Sequence, residues 1–159
     1  MSSILGNCSY SNIEIVKLFI TEWNSSIYPT YNSDMVTISS YNGLTNVWRE
    51  IETESVNFRY SQKLIDASNG KTFEESISII IQNNDMNYWN NVAEILTGKY
   101  VVIFIDANDN YWTLAWRYGA KVVVYSLENN QFSFNFISNF SSNLLTGIES
   151  TYVINNIIR

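Results

Sequence analysis

At 159 residues the chain is long enough to bury a substantial core and short enough to form one domain. A hydrophobic share of 46% and an aromatic share of 15% exclude an intrinsically disordered segment. The net charge of -6, with 9 lysines and arginines scattered along the chain, lacks the basic cluster needed to grip a phosphate backbone.

Histidine is absent, which removes the side chain most used for acid–base catalysis and metal ligation near neutral pH. Neither an enzyme nor a cofactor is therefore expected. Cys8 is the sole cysteine, so no internal disulfide can form, a reducing compartment fits, and a small inert side chain is the plain reading. No apolar run approaches the ~20 residues of a membrane helix. The opening MSSILGNCSY has neither a basic nor an apolar leader region, so no signal peptide is expected. Without one, the glycosylation patterns at Asn7, Asn24 and Asn139 carry no meaning.

In chain order, Asn12 to Trp23 is dense in β-branched residues and predicts a long strand, although Ile13, Val16 and Ile20 also fit helical spacing. Ser25 to Asp34, around Pro29, predicts a long loop. Met35 to Ser39 predicts a short strand, followed by a turn at Tyr41-Asn42-Gly43. Val47 to Thr53 is weakly strand-like. In Val56 to Leu64, Val56, Phe58, Tyr60, Gln62 and Leu64 alternate with polar partners, which predicts a strand with one buried face. Ser68-Asn69-Gly70 turns the chain into Thr72 to Gln82, with Phe73, Ile77, Ile79 and Ile81 on one face. The two strands read as an antiparallel hairpin with a loop of about five residues.

From Asn83 to Gly119 the signals are the clearest of the chain. A helix over about Asp85 to Thr97 places Trp89, Val92 and Leu96 on one face and ends near Gly98. The continuous apolar run Tyr100 to Ile105 predicts a buried strand, Asp106 to Asn110 a polar turn, and Tyr111 to Arg117 a second strand. Further strands follow at Lys121 to Leu127 and Gln131 to Ile137, where Phe132, Phe134 and Phe136 share a face, and near Leu144 to Thr146. The residues from Tyr152 to Arg159 are too apolar for a free terminus; they dock on their own domain or on a neighbour. The sum is an α+β domain, a mostly antiparallel β-sandwich or barrel with one flanking helix.

Candidate chemistry is thin. Asp106, Asn108 and Asn110 match the first, third and fifth positions of a calcium loop, but Tyr111 replaces its glycine and Arg117 its glutamate, so no metal is expected. Glu50 with Glu52 and Glu74 with Glu75 are carboxylate pairs of the kind ordinary on wet strands, and no catalytic residue is assigned. Trp23, Trp48, Trp89, Trp112 and Trp116 offer a possible sugar-stacking platform, though Trp112, Leu114 and Trp116 on one strand face read more as core or interface.

FRYSQKL at Phe58 to Leu64, FEESISIII at Phe73 to Ile81, the helix, VVIFIDANDNYWTLAWRYGAKV at Val101 to Val122 and LLTGIES at Leu144 to Ser150 together carry a family resemblance. The chain resembles small virion structural proteins encoded among the tail genes of phages and prophages of gut Bacteroidales, including crAss-like phages. In that family the central turn more usually reads acidic-Asn-Gly, where this chain has Asp109-Asn110-Tyr111. The resemblance implies a tail-tube-like or neck-ring subunit, made in the host cytoplasm and built into the virion. Copies would form a homo-oligomeric ring around the DNA exit channel, against other tail or portal-proximal proteins, with DNA passing unbound and no membrane involved. The alternative is a carbohydrate-binding β-sandwich of a receptor-binding appendage. Candidate interface residues are Tyr152, Val153, Ile154, Ile157 and Ile158 of the tail, Tyr31 and Tyr41 of the Ser25 to Thr45 arm, and Asn108 and Asp109 of the turn.

Overall fold

The computed structural model describes residues 13–51, 57–67, 70–81, 94–128, 131–140 and 146–157. Its strands are β1 (Ile13–Glu22), β2 (Tyr28–Tyr31), β3 (Ile38–Asn42), β4 (Arg49–Glu50), β5 (Asn57–Ala67) and β6 (Gly70–Ile81). They continue with β7 (Lys99–Asp106), β8 (Tyr111–Leu114), β9 (Ala120–Glu128), β10 (Gln131–Phe140) and β11 (Thr146–Gly147), and the helix α1 (Ser150–Asn156) follows. Six strands, in the order β7-β9-β10-β6-β5-β1, close on themselves through the β7–β1 pairing. Of the two expected architectures, the chain is therefore a barrel, in a mostly antiparallel α+β fold. Closure leaves the six strands without a long free edge.

Strand β7 occupies the centre. One edge pairs with β1 from Tyr100 to Asp106, and the other pairs first with β9 and then with β8. Its side chains alternate between two cores, as a strand's geometry requires. Tyr100, Val102 and Phe104 point into the barrel. Val101, Ile103 and Ile105 point outward, beneath Ile27, Ile38, Tyr41, Ile148 and Val153. This double burial is the physical reason for an apolar run without alternation.

The barrel core also holds Phe58, Tyr60, Ile77, Ile79 and Phe136. Tyr60 packs against Phe104 with ring centroids 5.7 Å apart, and Tyr100 meets Phe136 edge-on at 6.1 Å. These aromatic pairs connect strands far apart in sequence. Ile95, at the helical 94–95 end of the expected helix, is buried in the same core, with Leu96 packed against it. The rest of that helix, including Asp85, Trp89 and Val92, lies outside the described residues.

Strand β1 does not follow the Ile13, Val16, Ile20 spacing noted in its sequence. A register irregularity between Ile15 and Lys17 shifts the alternation, so that Ile15, Leu18 and Ile20 all reach the barrel while Phe19 faces the second core. Val16 is left 54% exposed. A bulge, not a helix, produces the three-residue interval from Ile15 to Leu18.

Several expected boundaries differ. The loop expected over Ser25 to Asp34 contains β2, which keeps Pro29 in a two-stranded sheet where few ladder donors are needed. The strand expected at Met35 to Ser39 begins at Ile38, because Met35 takes a positive φ of 61° and belongs to the preceding turn. Tyr41 and Asn42 extend β3, and the turn starts at Gly43, whose φ of 81° and close approach to the Ser26 carbonyl leave no room for a side chain. The β5–β6 connection is two residues, not five, since Ala67 already faces Gly70. Strand β8 stops at Leu114, because Ala115 adopts φ 70° and bends the chain. Trp116 consequently packs on the second core and not beside Leu114 and Trp112. The segment expected as an apolar tail begins as α1, with Val153 fully buried. For Leu64, Phe73, Ile81, Phe132 and Phe134 the structure describes the strand backbone and register alone, so the orientations expected for their side chains lie outside what is described.

Phe104→Ala should destabilise the fold by about 3–5 kcal/mol through the cavity it leaves, whereas Val16→Ala on the exposed bulge should change stability by less than about 0.5 kcal/mol. Chemical denaturation of both variants checks this.

Candidate functional site

The turn joining β7 to β8 is organised by one carboxylate. Asp106 Oδ1 accepts from the backbone N–H groups of Asn108 (2.8 Å) and Asn110 (2.9 Å). Its Oδ2 accepts from Asn110 Nδ2 (3.1 Å) and Trp112 Nε1 (3.0 Å). Burial opposes the charged form, but the hydrogen bonds from Trp112, Asn110 and Asn108 outweigh it and hold this carboxyl below the ordinary aspartate range. Both oxygens face N–H donors, the opposite of what a cation would require. Among the described residues no group of three or more Asp, Glu, Cys or His side chains is placed to hold a metal. Asp109 takes φ 60° at the tip, and it and Asn108 are exposed.

The second core is tied to the sheet by a buried relay. The Tyr41 hydroxyl donates to Thr113 Oγ1 (2.5 Å), which donates to the Val102 carbonyl (2.9 Å). Desolvation pushes the Tyr41 phenol far above its ordinary range, so it stays a neutral donor. Tyr152 meets Tyr41 edge-on at 6.5 Å, and the Trp48 ring lies 6.3 Å from Tyr41, tilted by 34°.

This placement divides the interface candidates. Tyr41 and Val153 are buried in the chain's own second core, with Tyr152 and Ile157 half-buried against it, so Tyr41 and Val153 offer no free surface. Tyr31, Asn108, Asp109 and Ile154 are exposed. Ile158 lies outside the described residues. The tail therefore docks on its own domain at Val153, and among its described apolar residues Ile154 faces outward. The cause is helical spacing: Val153 and Ile157, four residues apart, share the inner side with Tyr152 flanking them, and Ile154 falls on the outer side.

Other sequence candidates are dispersed. Glu74 and Glu75 are neighbours on a strand and point to opposite faces, with Glu75 buried. Glu50 is exposed, while Glu52, Trp89 and Cys8 lie outside the described residues. Trp23, Trp48, Trp112 and Trp116 are half-buried against the two cores. Trp23 is held by its Nε1–H, which donates to the Trp116 carbonyl at 2.7 Å.

Two exposed features were not singled out by the sequence. The β2–β3 turn raises Met35 (76% exposed) and Val36 (67%) into solvent, beside Asp34. A groove of about 440 Å³ lies beside the start of β7 and β9, lined by Lys99, Tyr118, Gly119, Lys121, Val123 and Ile137. Its floor requires glycine at 119, because a Cβ there would stand 2.8 Å from that of Lys99 and 3.0 Å from the Trp23 ring, at φ 79°. Lys99 and Lys121 face each other only through strand register. Their separation in sequence hid the pair, whereas the Asn32-Ser33-Asp34 cluster was an available sign of a turn before Met35.

No family model, curated protein or solved structure matches the chain. Among the described residues no helix is long and apolar enough to cross a membrane.

Asp106→Ala should cost about 1–3 kcal/mol near neutral pH by stranding the Trp112 donor and freeing the turn. The folded-state pKa lies below the unfolded one, so the unfolded chain takes up the proton more readily. The stability difference between wild type and variant should be full above the ordinary aspartate value of about 3.9 and shrink as pH falls through the folded pKa. Urea denaturation at a series of pH values measures that convergence.

Proposed function

We propose that the chain is a structural subunit of a bacteriophage neck or tail, assembling with copies of itself into a ring around the DNA exit channel. The observation that carries this reading is where the apolar side chains lie. Phe58, Tyr60, Phe104 and Phe136 fill the barrel interior, so any conduit must form between subunits and not through one. Outside the two cores, Tyr28, Tyr31, Met35 and Val36 remain exposed along a single hairpin, and Tyr118 and Val123 beside the groove. Clustered exposed apolar residues are a mark of protein contact surfaces.

The charge supports the same role. With a net charge of -6 and no histidine, the chain suits a wall past which DNA moves without adhering, since tight phosphate contacts need clustered lysine and arginine. The family resemblance of the β5–β6 hairpin and of the β7–β8 segment points to the same class of protein. Neighbouring tail or portal-proximal proteins would stack on the ring's two faces, and the virion would be its final location.

Negative-stain imaging of the purified full chain, together with mass analysis of purified particles, tests the proposal. Closed rings of uniform diameter with a central hole, and the chain's presence in virions, are expected. A strictly monomeric protein absent from virions would overturn it.

A further inference from the structure

We propose that the 32–36 tip of the β2–β3 hairpin docks into the Lys99–Lys121 groove of a second copy of this chain, head to tail. The inference rests on the ring reading above and supplies the two halves of its contact.

The tip is built to project. Asn32 N–H donates to the Thr37 carbonyl (2.8 Å) and Met35 N–H to the Asn32 carbonyl (2.9 Å), closing a tight turn. Asp34 Oδ1 accepts from the N–H groups of Val36 and Thr37, each at 2.9 Å, and Oδ2 accepts from Thr37 Oγ1 at 2.9 Å. Those bonds, led by the one from the Thr37 backbone, hold the Asp34 carboxyl below its ordinary range, so the tip carries a negative charge at neutral pH. At the base, Asn32 Nδ2 donates to Glu149 Oε1 and Glu149 N–H to the Ile38 carbonyl. The turn is thus fixed to its own body before it meets a partner, which lowers the ordering cost of docking.

The groove has the complementary chemistry. Lys99 and Lys121 are register partners on β7 and β9, and like charges directly opposite across a sheet repel. Among the described residues no carboxylate forms an ion pair with either; Lys99 Nζ lies 5.5 Å from the Trp23 ring centroid instead. An anion from outside relieves that repulsion. Tyr118, Val123 and Ile137 supply an apolar wall for Met35 and Val36 beside the two cations. Tip and groove are different surfaces of one chain, so the contact is heterologous, the type that generates rings when the rotation closes.

The test uses the full-length chain carrying Val36→Lys, Lys121→Glu, or both, with association followed by sedimentation velocity. Both positions are exposed, so the variants should fold, and circular dichroism verifies it. Each single change should weaken association at least about tenfold, since Val36→Lys sets a third cation beside the two lysines and Lys121→Glu sets a carboxylate before Asp34, and the double variant should recover part of it by pairing the two introduced charges of opposite sign. If the unaltered chain assembles and both single variants assemble equally well, this contact is overturned while the ring stands. A double variant that associates no better than the weaker single variant would likewise overturn it. A wild-type chain that stays monomeric at every concentration and is absent from virions would overturn the ring reading itself.

Discussion

Everything in this protein hangs on a strand with no free side. β7 is paired along both edges and buried on both faces, so every residue from Tyr100 to Ile105 is held by β1 and one of two cores, and all but Val101 are paired with a second strand as well. A single layer could not meet this demand. The barrel covers one face, and the β2–β3 sheet, the chain after β11 and α1 cover the other. The burial of each such side chain contributes on the order of 1.5–3 kcal/mol, so neither layer is dispensable.

The outer layer is more than a lid of apolar contacts. The Tyr41–Thr113–Val102 relay joins β3 to β8 and β7 through buried hydrogen bonds, and a parallel bridge between Ile38 and Ile148 joins β3 to the segment before α1. Breaking any member leaves a buried polar group without its partner, which is more costly than the bond was worth. Near the start of β7, Trp23 links the end of β1 to the bend at Trp116 and forms one flank of Gly119.

The sequence revealed those elements whose burial follows a simple period. β5, β6 and β10 are half-buried and alternate; β7 is buried on both faces and does not alternate; each could be recognised from its pattern. Elements governed by tertiary contacts were less legible. Val16 looked like part of a helical stripe because the bulge that exposes it is created by pairing with β7. Tyr41 and Val153 looked like surface donors because the core that takes them exists only after Ile103 and Ile105 have been turned outward. The groove was invisible, since Lys99 and Lys121 become neighbours only when β9 reaches β7. The Asp106 turn was located from its composition, yet its role depended on where four donors converge, and that is a matter of geometry.

Because they share β7, the two cores should open as one cooperative unit. Native-state hydrogen exchange on the isolated chain tests this most directly. The amides of Ile38, Thr113 and Val153 in the outer layer should open with the same free energy as those of Ile77 and Ile79 in the barrel wall and of Val101 to Ile105 between them. Exchange of the outer-layer amides at a clearly lower free energy, with the barrel still protected, would contradict the claim and show a barrel that stands without its cover.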